Sequence, residues 1–222
     1  MSTVDLRREG PIFVLTMQRG ENRFDRDFVA ELDRALDEVE ASSGPAALVT
    51  TGQEKFYSNG LDLDWMSSSG QGAELLSAVL RLLGRVLALP LPTVAAINGH
   101  VFAAGAMLAL AHDYRVMRAD RGFFCLPEVD LGLPLAPGMT ALIASRLSPT
   151  VLRDLLLTGK RVGGAEAAAN GIVDESVPAG DVVPRALARA GELAGKGREI
   201  YAALKRGLYR DAIELLAAAT PP

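Results

Sequence analysis

Residues 94–113, VAAINGHVFAAGAMLALAHD, decide the fold. The β-branched and apolar residues 94–97 predict a short buried strand that ends at the turn dipeptide Asn98-Gly99. Small residues at 103–106 then lead into an apolar helical run at 107–111. A helix that starts in this way leaves unpaired backbone N–H groups, which attract negative charge together with the helix dipole. The stretch is therefore a candidate oxyanion site, although a tight strand–helix contact alone also explains its small residues.

Two further motifs flank this stretch. Upstream, residues 55–63 read KFYSNGLDL, with a turn at Gly60 followed by an aspartate. Downstream, residues 123–139 read FFCLPEVDLGLPLAPGM, in which Glu128 lies in a largely apolar run. In order and spacing, the three motifs resemble those of the crotonase (enoyl-CoA hydratase/isomerase) superfamily. The resemblance covers most of the chain, as far as NGIVD at residues 170–174.

The resemblance implies an α/β fold in which ββα units wind into a crotonase-like spiral. The spiral core and an acyl-CoA site are expected in residues 1–180, and a C-terminal helical region for oligomer contacts in residues 181–222. Because crotonases typically assemble through their C-terminal helices, the resemblance also implies a homotrimer or a dimer of trimers.

Composition agrees with one globular domain that has a large core, since 49% of the 222 residues are hydrophobic. The net charge of −4 gives no reason to expect nucleic acid or an anionic membrane as a partner. No segment approaches the roughly 20 apolar residues that a membrane span requires. Residues 1–10 lack the apolar region of a secretory signal, and the final ATPP is not a peroxisomal address. We therefore expect a cytoplasmic protein.

Apolar periodicity predicts alternating strands and helices around the central stretch. Further strands are predicted at residues 4–8, 12–17, 46–51, 114–117 and 123–126. Helices are predicted after an N-cap at Asp25, and at residues 75–89, 137–147, 149–158, 165–169 and from 182 onward, the last of them an amphipathic helix over 200–216. Residues 67–72, SSSGQG, have the composition of a flexible loop. Since helix 75–89 is apolar nearly all round, we expect it to be buried or covered by a partner.

The usual nucleophile and metal motifs are absent from the sequence, including GxSxG, HExxH, GxGxxG and the Walker pattern. His100 and His112 are the two histidines, and no cluster has metal-ligand spacing. We expect Cys125 to be a small buried strand residue and the histidines to satisfy local hydrogen bonds. The sequence thus favours neither metal nor nucleophilic catalysis.

Glu128 is the strongest candidate for catalysis. Its apolar neighbours predict desolvation, which raises a carboxyl pKa toward the range useful for proton transfer. From the residues alone, a solvated or helix-capping acid is equally possible. The resemblance favours catalysis, because Glu128 matches the glutamate that crotonase hydratases and many isomerases use. Asp130 falls outside that family position.

The resemblance also implies that two backbone N–H groups, those of Leu61 and Ala104, hold a thioester carbonyl. The family more often has glycine where this chain has Ala103 and Ala104. The extra methyl groups narrow the pocket but leave the N–H groups in place. Asp62 and residues 113–115 match family positions that we expect to be structural.

Met107 departs from the family hydratases, which carry a second glutamate at this position. Because methionine neither accepts nor donates the required proton, two-acid hydration is disfavoured. The sequence therefore predicts a Δ3,Δ2-enoyl-CoA isomerase of fatty acid metabolism, with Glu128 as a single base. The alternatives are an enoyl-CoA hydratase, another crotonase activity such as a decarboxylase or thioesterase, and an acyl-CoA-binding protein without turnover.

Coenzyme A is expected only as part of the substrate, with no bound cofactor or metal. The resemblance assigns contacts with the CoA ester to Arg23, Ser58, Gly60 and Lys205. Lys205 resembles a family lysine that reaches the phosphates, sometimes from a neighbouring subunit. Taken singly, a residue such as Arg23 or Lys205 is more often a solvated surface cation.

Overall fold

The computed structural model describes residues 3–218. Its strands are β1 (Val4–Glu9), β2 (Ile12–Met17), β3 (Ala47–Thr51), β4 (Phe56–Ser58), β5 (Thr93–Ile97), β6 (His100–Phe102), β7 (Tyr114–Arg118), β8 (Phe124–Cys125) and β9 (Glu175–Val177). Its helices are α1 (Arg26–Ala41), α2 (Leu63–Ser69), α3 (Gly72–Ala88), α4 (Ala104–Ala111), α5 (Glu128–Leu131), α6 (Pro137–Arg146), α7 (Pro149–Thr158), α8 (Gly164–Ala169), α9 (Val182–Leu193), α10 (Arg198–Leu208) and α11 (Arg210–Ala217). None of the helices within residues 3–218 combines the length and apolarity that crossing a membrane demands.

The strands form two sheets that the chain visits in turn. The larger has the order β1-β2-β3-β5-β7-β9 and is parallel apart from the β1–β2 hairpin. The smaller is a parallel sheet of β4, β6 and β8. Each of β3, β5 and β7 is followed directly by a strand of the smaller sheet and then by a helix. This repeat of two strands and a helix confirms the predicted crotonase-like spiral.

Helices cover both faces of the larger sheet. On one face α9 places Val182, Ala186 and Ala190 against β3 and β5, where small residues such as Ala47 and Ala96 allow close approach. The main core lies on the other face, between the sheet and α1, α3, α4 and α6. Since α9 packs on the central strands, the helical region that begins near residue 181 shares the core of the spiral.

The helix predicted at 75–89 is buried within its own subunit. It extends over α3, and its buried residues are Leu75, Val79, Leu80, Leu82, Leu83, Val86 and Leu87. The remaining apolar surface is largely covered by α11, whose Leu216 lies 3.1 Å from the position that a Cβ on Gly84 would take. A partner subunit is therefore not needed to bury this helix.

Two boundaries differ from the sequence prediction. Residues 67–69 of the predicted SSSGQG loop belong to α2, which ends where Gly70 adopts the left-handed conformation, at φ 68°. The predicted single helix over 200–216 is divided at Tyr209 into α10 and α11. Local composition misses both results, because docking of these segments on the core decides where each helix ends.

Glycines bring the 60–61 turn against the start of α4. Gly60 has φ +81°, and a Cβ on it would lie 2.9 Å from the Cβ of Ala103 and 3.1 Å from the amide nitrogen of Ala104. A Cβ on Gly105 would lie only 2.5 Å from the carbonyl oxygen of Ser58. The small residues of the central stretch thus do make the tight contact expected from them, and this contact sets Leu61 beside Ala104.

Candidate active site

A cavity of about 560 Å³ opens where the three sequence motifs meet. Leu61 of the first motif, Ala104 and Met107 of the second, and Glu128 of the third all line it. Elements far apart in sequence therefore converge on one space whose walls are mostly apolar, as is usual for ligand sites.

Glu128 is held in this cavity as a buried carboxyl group at the first position of α5. Its exposed fraction is 8%, and its Oε2 atom is buried with no hydrogen-bond partner within residues 3–218. Burial raises the pKa of Glu128 above that of an exposed glutamate. A desolvated, unpaired carboxylate of this kind is a stronger proton acceptor than a solvated one.

The backbone N–H of Leu61 points away from Phe24, the residue with which Leu61 forms a bridge. Phe24 donates to the carbonyl of Gly60 and accepts from the N–H of Asp62, a parallel bridge centred on Leu61. Because the polar groups of successive residues in an extended chain point to opposite sides, the N–H and C=O of Leu61 face the other way. Leu61 also lines the cavity, so its N–H is available to a ligand there.

The N–H of Ala104 is also available to a ligand, but for a different reason. Ala104 is the first residue of α4, and the first N–H groups of a helix have no acceptor within the helix. The preceding Ala103 has φ 50° and ψ −127°, a conformation that favours glycine and costs alanine about 1–3 kcal/mol. The chain thus retains a glycine-type turn at this point despite the alanine side chain.

Met107 occupies the cavity wall near Glu128 and is 1% exposed. The other carboxylate on the described part of the wall, Asp64, has a side chain that is 96% exposed and lies 3.6 Å from a guanidinium nitrogen of Arg23. Within residues 3–218 the cavity therefore presents one buried acid. No group of three or more potential metal ligands occurs in this same range.

Three charged residues for which the sequence predicts a structural role make contacts of that kind. Asp62 caps α2 by accepting from the N–H of Trp65 at 3.0 Å. Asp113 accepts from the N–H of Thr93 at 2.9 Å and so ties the start of β5 to the end of α4. Arg115 lies 3.4 Å from Asp174 and thereby connects β7 to the segment before β9. These predictions are confirmed.

The prediction for Cys125 and His112 is confirmed, and that for His100 is wrong. Cys125 is buried, with its pKa raised to about 11 by burial. His112 is buried and bonded to Thr50 and to the carbonyl of Leu108, at 2.9 and 2.8 Å. His100, however, has a buried Nδ1 without a partner in the described chain. Its ring instead lies among aromatic rings at centroid distances of 5.3–5.7 Å, those of Phe56, Phe102 and Phe123.

Ser58 and Gly60 lie behind the cavity wall. The Ser58 hydroxyl is fully buried, donates to the carbonyl of Asn22 at 2.7 Å, and accepts from the N–H of Gly60 at 3.2 Å. Gly60 supports the turn that carries Leu61. The sequence predicts direct contact with the CoA ester for both residues, whereas in the structure neither lines the cavity and both shape the site from behind its wall.

Lys205 is not at the cavity. It is 5% exposed on α10, and its Nζ lies 3.0 Å from Asp113 Oδ1. Burial lowers the pKa of Lys205, and the neighbouring Asp113 opposes this effect. Because its ammonium group already has a buried partner, Lys205 fastens α10 to the core, and the expected contact with CoA phosphates is corrected.

Two arginines do line the cavity. Arg23, as expected from the sequence, is there and is bonded through its Nε to Glu21 at 2.8 Å. Arg161, which the sequence does not single out, is exposed, and its guanidinium carbon lies 5.7 Å from the centroid of the Phe102 ring. Within residues 3–218 no carboxylate lies close enough to form an ion pair with Arg161.

Comparison with known proteins gives consistent relatives. The family model described as enoyl-CoA hydratase/isomerase matches residues 7–220. Enoyl-CoA delta isomerase 3 of Arabidopsis thaliana is 39% identical over 92% of this chain and 91% of the relative. Enoyl-CoA delta isomerase 2, peroxisomal, of the same plant is 38% identical over 95% of this chain and 94% of the relative.

Solved structures agree with the fold. A probable enoyl-CoA hydratase of Mycobacterium tuberculosis superposes with a TM-score of 0.91 at 28% identity, covering 98% of this chain and 93% of that one. An apo structure of an enoyl-CoA isomerase from the same bacterium gives a TM-score of 0.90 at 29% identity, covering 98% of this chain and 95% of that one.

Replacing Lys205 tests whether this residue supports structure. Removing one partner of a buried ion pair leaves the other charge uncompensated, which typically lowers stability by about 3–5 kcal/mol. We expect Lys205→Ala to lower the free energy of unfolding by about this amount in urea titrations. Arg206→Ala, which removes an exposed cation from the same helix, is the control and is expected to have little effect. A fully stable Lys205→Ala protein would contradict the assignment.

Replacing Glu128 tests its burial. A carboxyl group whose pKa is raised by folding stabilises the folded state below its unfolded pKa, and this contribution is lost as pH rises through the folded pKa. Glu128→Gln should therefore be more stable than the parent at pH 7, by about 1.4 kcal/mol for each tenfold change in proton affinity. The difference should vanish near pH 4. Urea titrations at both pH values measure it, and an unchanged or lower stability at pH 7 would contradict it.

Proposed function

The chain belongs to the enoyl-CoA hydratase/isomerase family, and from this premise we propose that it converts 3-enoyl-CoA to 2-enoyl-CoA in fatty acid metabolism. It is an enzyme of the crotonase superfamily whose relatives include isomerases. The observation that carries the finer proposal is the carboxyl group of Glu128, the one buried acid that residues 3–218 place in the cavity, whose Oε2 has no partner there, with Met107 on the same wall.

In the proposed reaction Glu128 accepts a proton from C2 of the 3-enoyl thioester. The electrons of the C2–H bond give a dienolate, whose negative charge is shared among the thioester oxygen, C2 and C4, and the C2–C3 double bond is established when C4 is protonated. Glu128 then returns the same proton to C4. The proton moves between two carbons of one substrate, so one acid–base group is sufficient.

The N–H groups of Leu61 and Ala104 are proposed to stabilise the thioester oxygen while it carries negative charge. Both residues line the cavity, and for the reasons given above their N–H groups have no backbone partner within the part of the chain that the structure describes. Loss of one such donor typically lowers the rate by about 10²–10³. Their contribution is needed because the C2 proton is a much weaker acid than a carboxylic acid.

Hydration is the second candidate. A hydratase must deliver both the oxygen and the proton of a water molecule across a double bond, and the family does so with two glutamates. Met107 supplies neither a donor nor an acceptor for this task. We therefore place hydratase activity, and other crotonase reactions, behind isomerisation. A binding protein without turnover would gain nothing from a buried unpaired carboxylate.

Coenzyme A enters the proposal as part of the substrate, without a further cofactor. Arg23 remains our candidate for contact with its anionic half, and Arg161 takes the place left by Lys205. Both are cations at the cavity, whereas Lys205 is buried elsewhere. A cytoplasmic location stays a prediction from the sequence.

A homotrimer or dimer of trimers is also proposed. Ile200, Leu204 and Leu208 follow one another at four-residue spacing on α10 and are 65%, 68% and 72% exposed. The adjoining α11 is docked on α3 and α6 of its own subunit and exposes one further leucine, Leu215, so the stripe of three residues lies on α10. An apolar stripe of this kind is typical of an interface, and closed symmetry buries it without leaving an open end.

Activity measurements test the proposed base. We expect Glu128→Gln to lower the isomerisation of 3-hexenoyl-CoA by about 10²–10⁴ while binding of the thioester persists, because the shape is kept and the base is lost. Near-parental isomerisation by Glu128→Gln would refute the assignment of the base.

The hydration of crotonyl-CoA tests the role of Met107. We expect the parent to hydrate crotonyl-CoA poorly and Met107→Glu to increase this reaction or change the product ratio.

Light scattering on a sizing column tests the assembly. The expected mass is three or six times the 23.5 kDa of one chain. Leu204→Lys places a charge in the middle of the α10 stripe and should shift the mass toward the monomer. A parent protein that is monomeric at micromolar concentration would refute the proposed assembly.

A further inference from the structure

The rim of the cavity carries exposed leucines. Leu63, Leu131 and Leu133 line it and are 40%, 49% and 42% exposed. They come from two separate parts of the chain, the start of α2 and the segment around the end of α5. Large apolar side chains that remain in contact with water beside a cavity stabilise whatever apolar group covers them.

Further apolar side chains line the same cavity. Met66 and Leu76 are half-buried, and Met139 is 3% exposed, so these residues are less accessible than the rim. Methionine side chains are flexible and adapt to apolar ligands of different length. Gly72 leaves room for one of them, since a Cβ on Gly72 would lie 3.1 Å from the terminal methyl carbon of Met66.

Several polar residues of the wall form one connected cluster. Arg23 is bonded to Glu21, which also accepts from the side-chain amide of Asn59 at 2.9 Å, and Arg23 lies 3.6 Å from Asp64. Besides Glu128 and Arg161, the cavity wall therefore has this one polar cluster and an extended apolar surface. A ligand that uses both has a polar end and a long apolar end.

We propose that the cavity selects 3-enoyl-CoA thioesters with long acyl chains, of ten or more carbons, and that Leu131 and Leu133 contact the acyl tail. The inference rests on the proposed function, because Glu128 fixes where the first four acyl carbons lie. A six-carbon chain extends only two carbons beyond that point and leaves most of the apolar wall in contact with water. Longer chains remove the rim leucines from water and gain affinity with each added methylene group.

Binding of saturated acyl-CoA esters tests this inference without any turnover. Calorimetry with hexanoyl-CoA and decanoyl-CoA should show at least tenfold tighter binding of decanoyl-CoA, since four more methylene groups enter the apolar wall. Turnover of 3-hexenoyl-CoA is measured separately, so failure of the isomerase proposal is distinguishable from failure of this inference. Equal affinity for the two saturated esters would overturn it.

Matched variants identify the rim residues. Leu133→Asn should weaken decanoyl-CoA binding about fivefold and change hexanoyl-CoA binding less than twofold. Leu157→Asn is the control, because Leu157 is a 69% exposed leucine on α7 that does not line the cavity. The inference is overturned if both variants act alike on decanoyl-CoA. It is also overturned if Leu133→Asn alters the mass by light scattering and leaves chain-length preference unchanged, which would make the rim a subunit contact.

Discussion

The close approach of the 60–61 turn to the start of α4 is the constraint on which the site depends. Gly105 permits it, because any side chain there would meet the backbone of Ser58. Gly60 and the left-handed Ala103 complete the contact, so the N–H groups that follow β4 and β6, two neighbouring strands of the smaller sheet, face one space. The strain at Ala103 persists because the surrounding helix and sheet fix the turn. The same contact joins the first and second ββα units, so fold and site share one origin.

Much of the fold follows from local sequence. The apolar run of β5, the N-cap at Asp25 and the Pro-initiated α6 and α7 each carry a signal that acts within a few residues. The smaller sheet is different, because β4, β6 and β8 have two or three residues each and gain their partners from other units of the spiral. The break at Tyr209 is likewise decided by docking of α11, which no local pattern encodes.

The residues in and around the site likewise differ in whether local sequence predicts their positions. The positions of Glu128, Leu61 and Ala104 at the cavity are predictable because each lies in a motif whose order matches a family. Those of Lys205 and Ser58 are not, since their side chains are committed to partners distant in sequence, Asp113 and Asn22. Arg161 is missed because it lies outside the three motifs. A lone arginine in a sequence has no feature that distinguishes a cavity rim from any other surface.

The buried ionisable groups show why Glu128 is the residue to which chemistry should be assigned. Lys205 and Arg115 are each buried against an aspartate, and a compensated pair of this kind fixes one element on another. Glu128 is buried with one oxygen unpaired within residues 3–218, which opposes folding at neutral pH. The other buried acid within residues 3–218, Asp25, is satisfied by Arg19 and by the N–H of Phe28. The unsatisfied acid instead faces a cavity with room for a substrate, and there the destabilised carboxylate has the raised proton affinity that the proposed reaction requires.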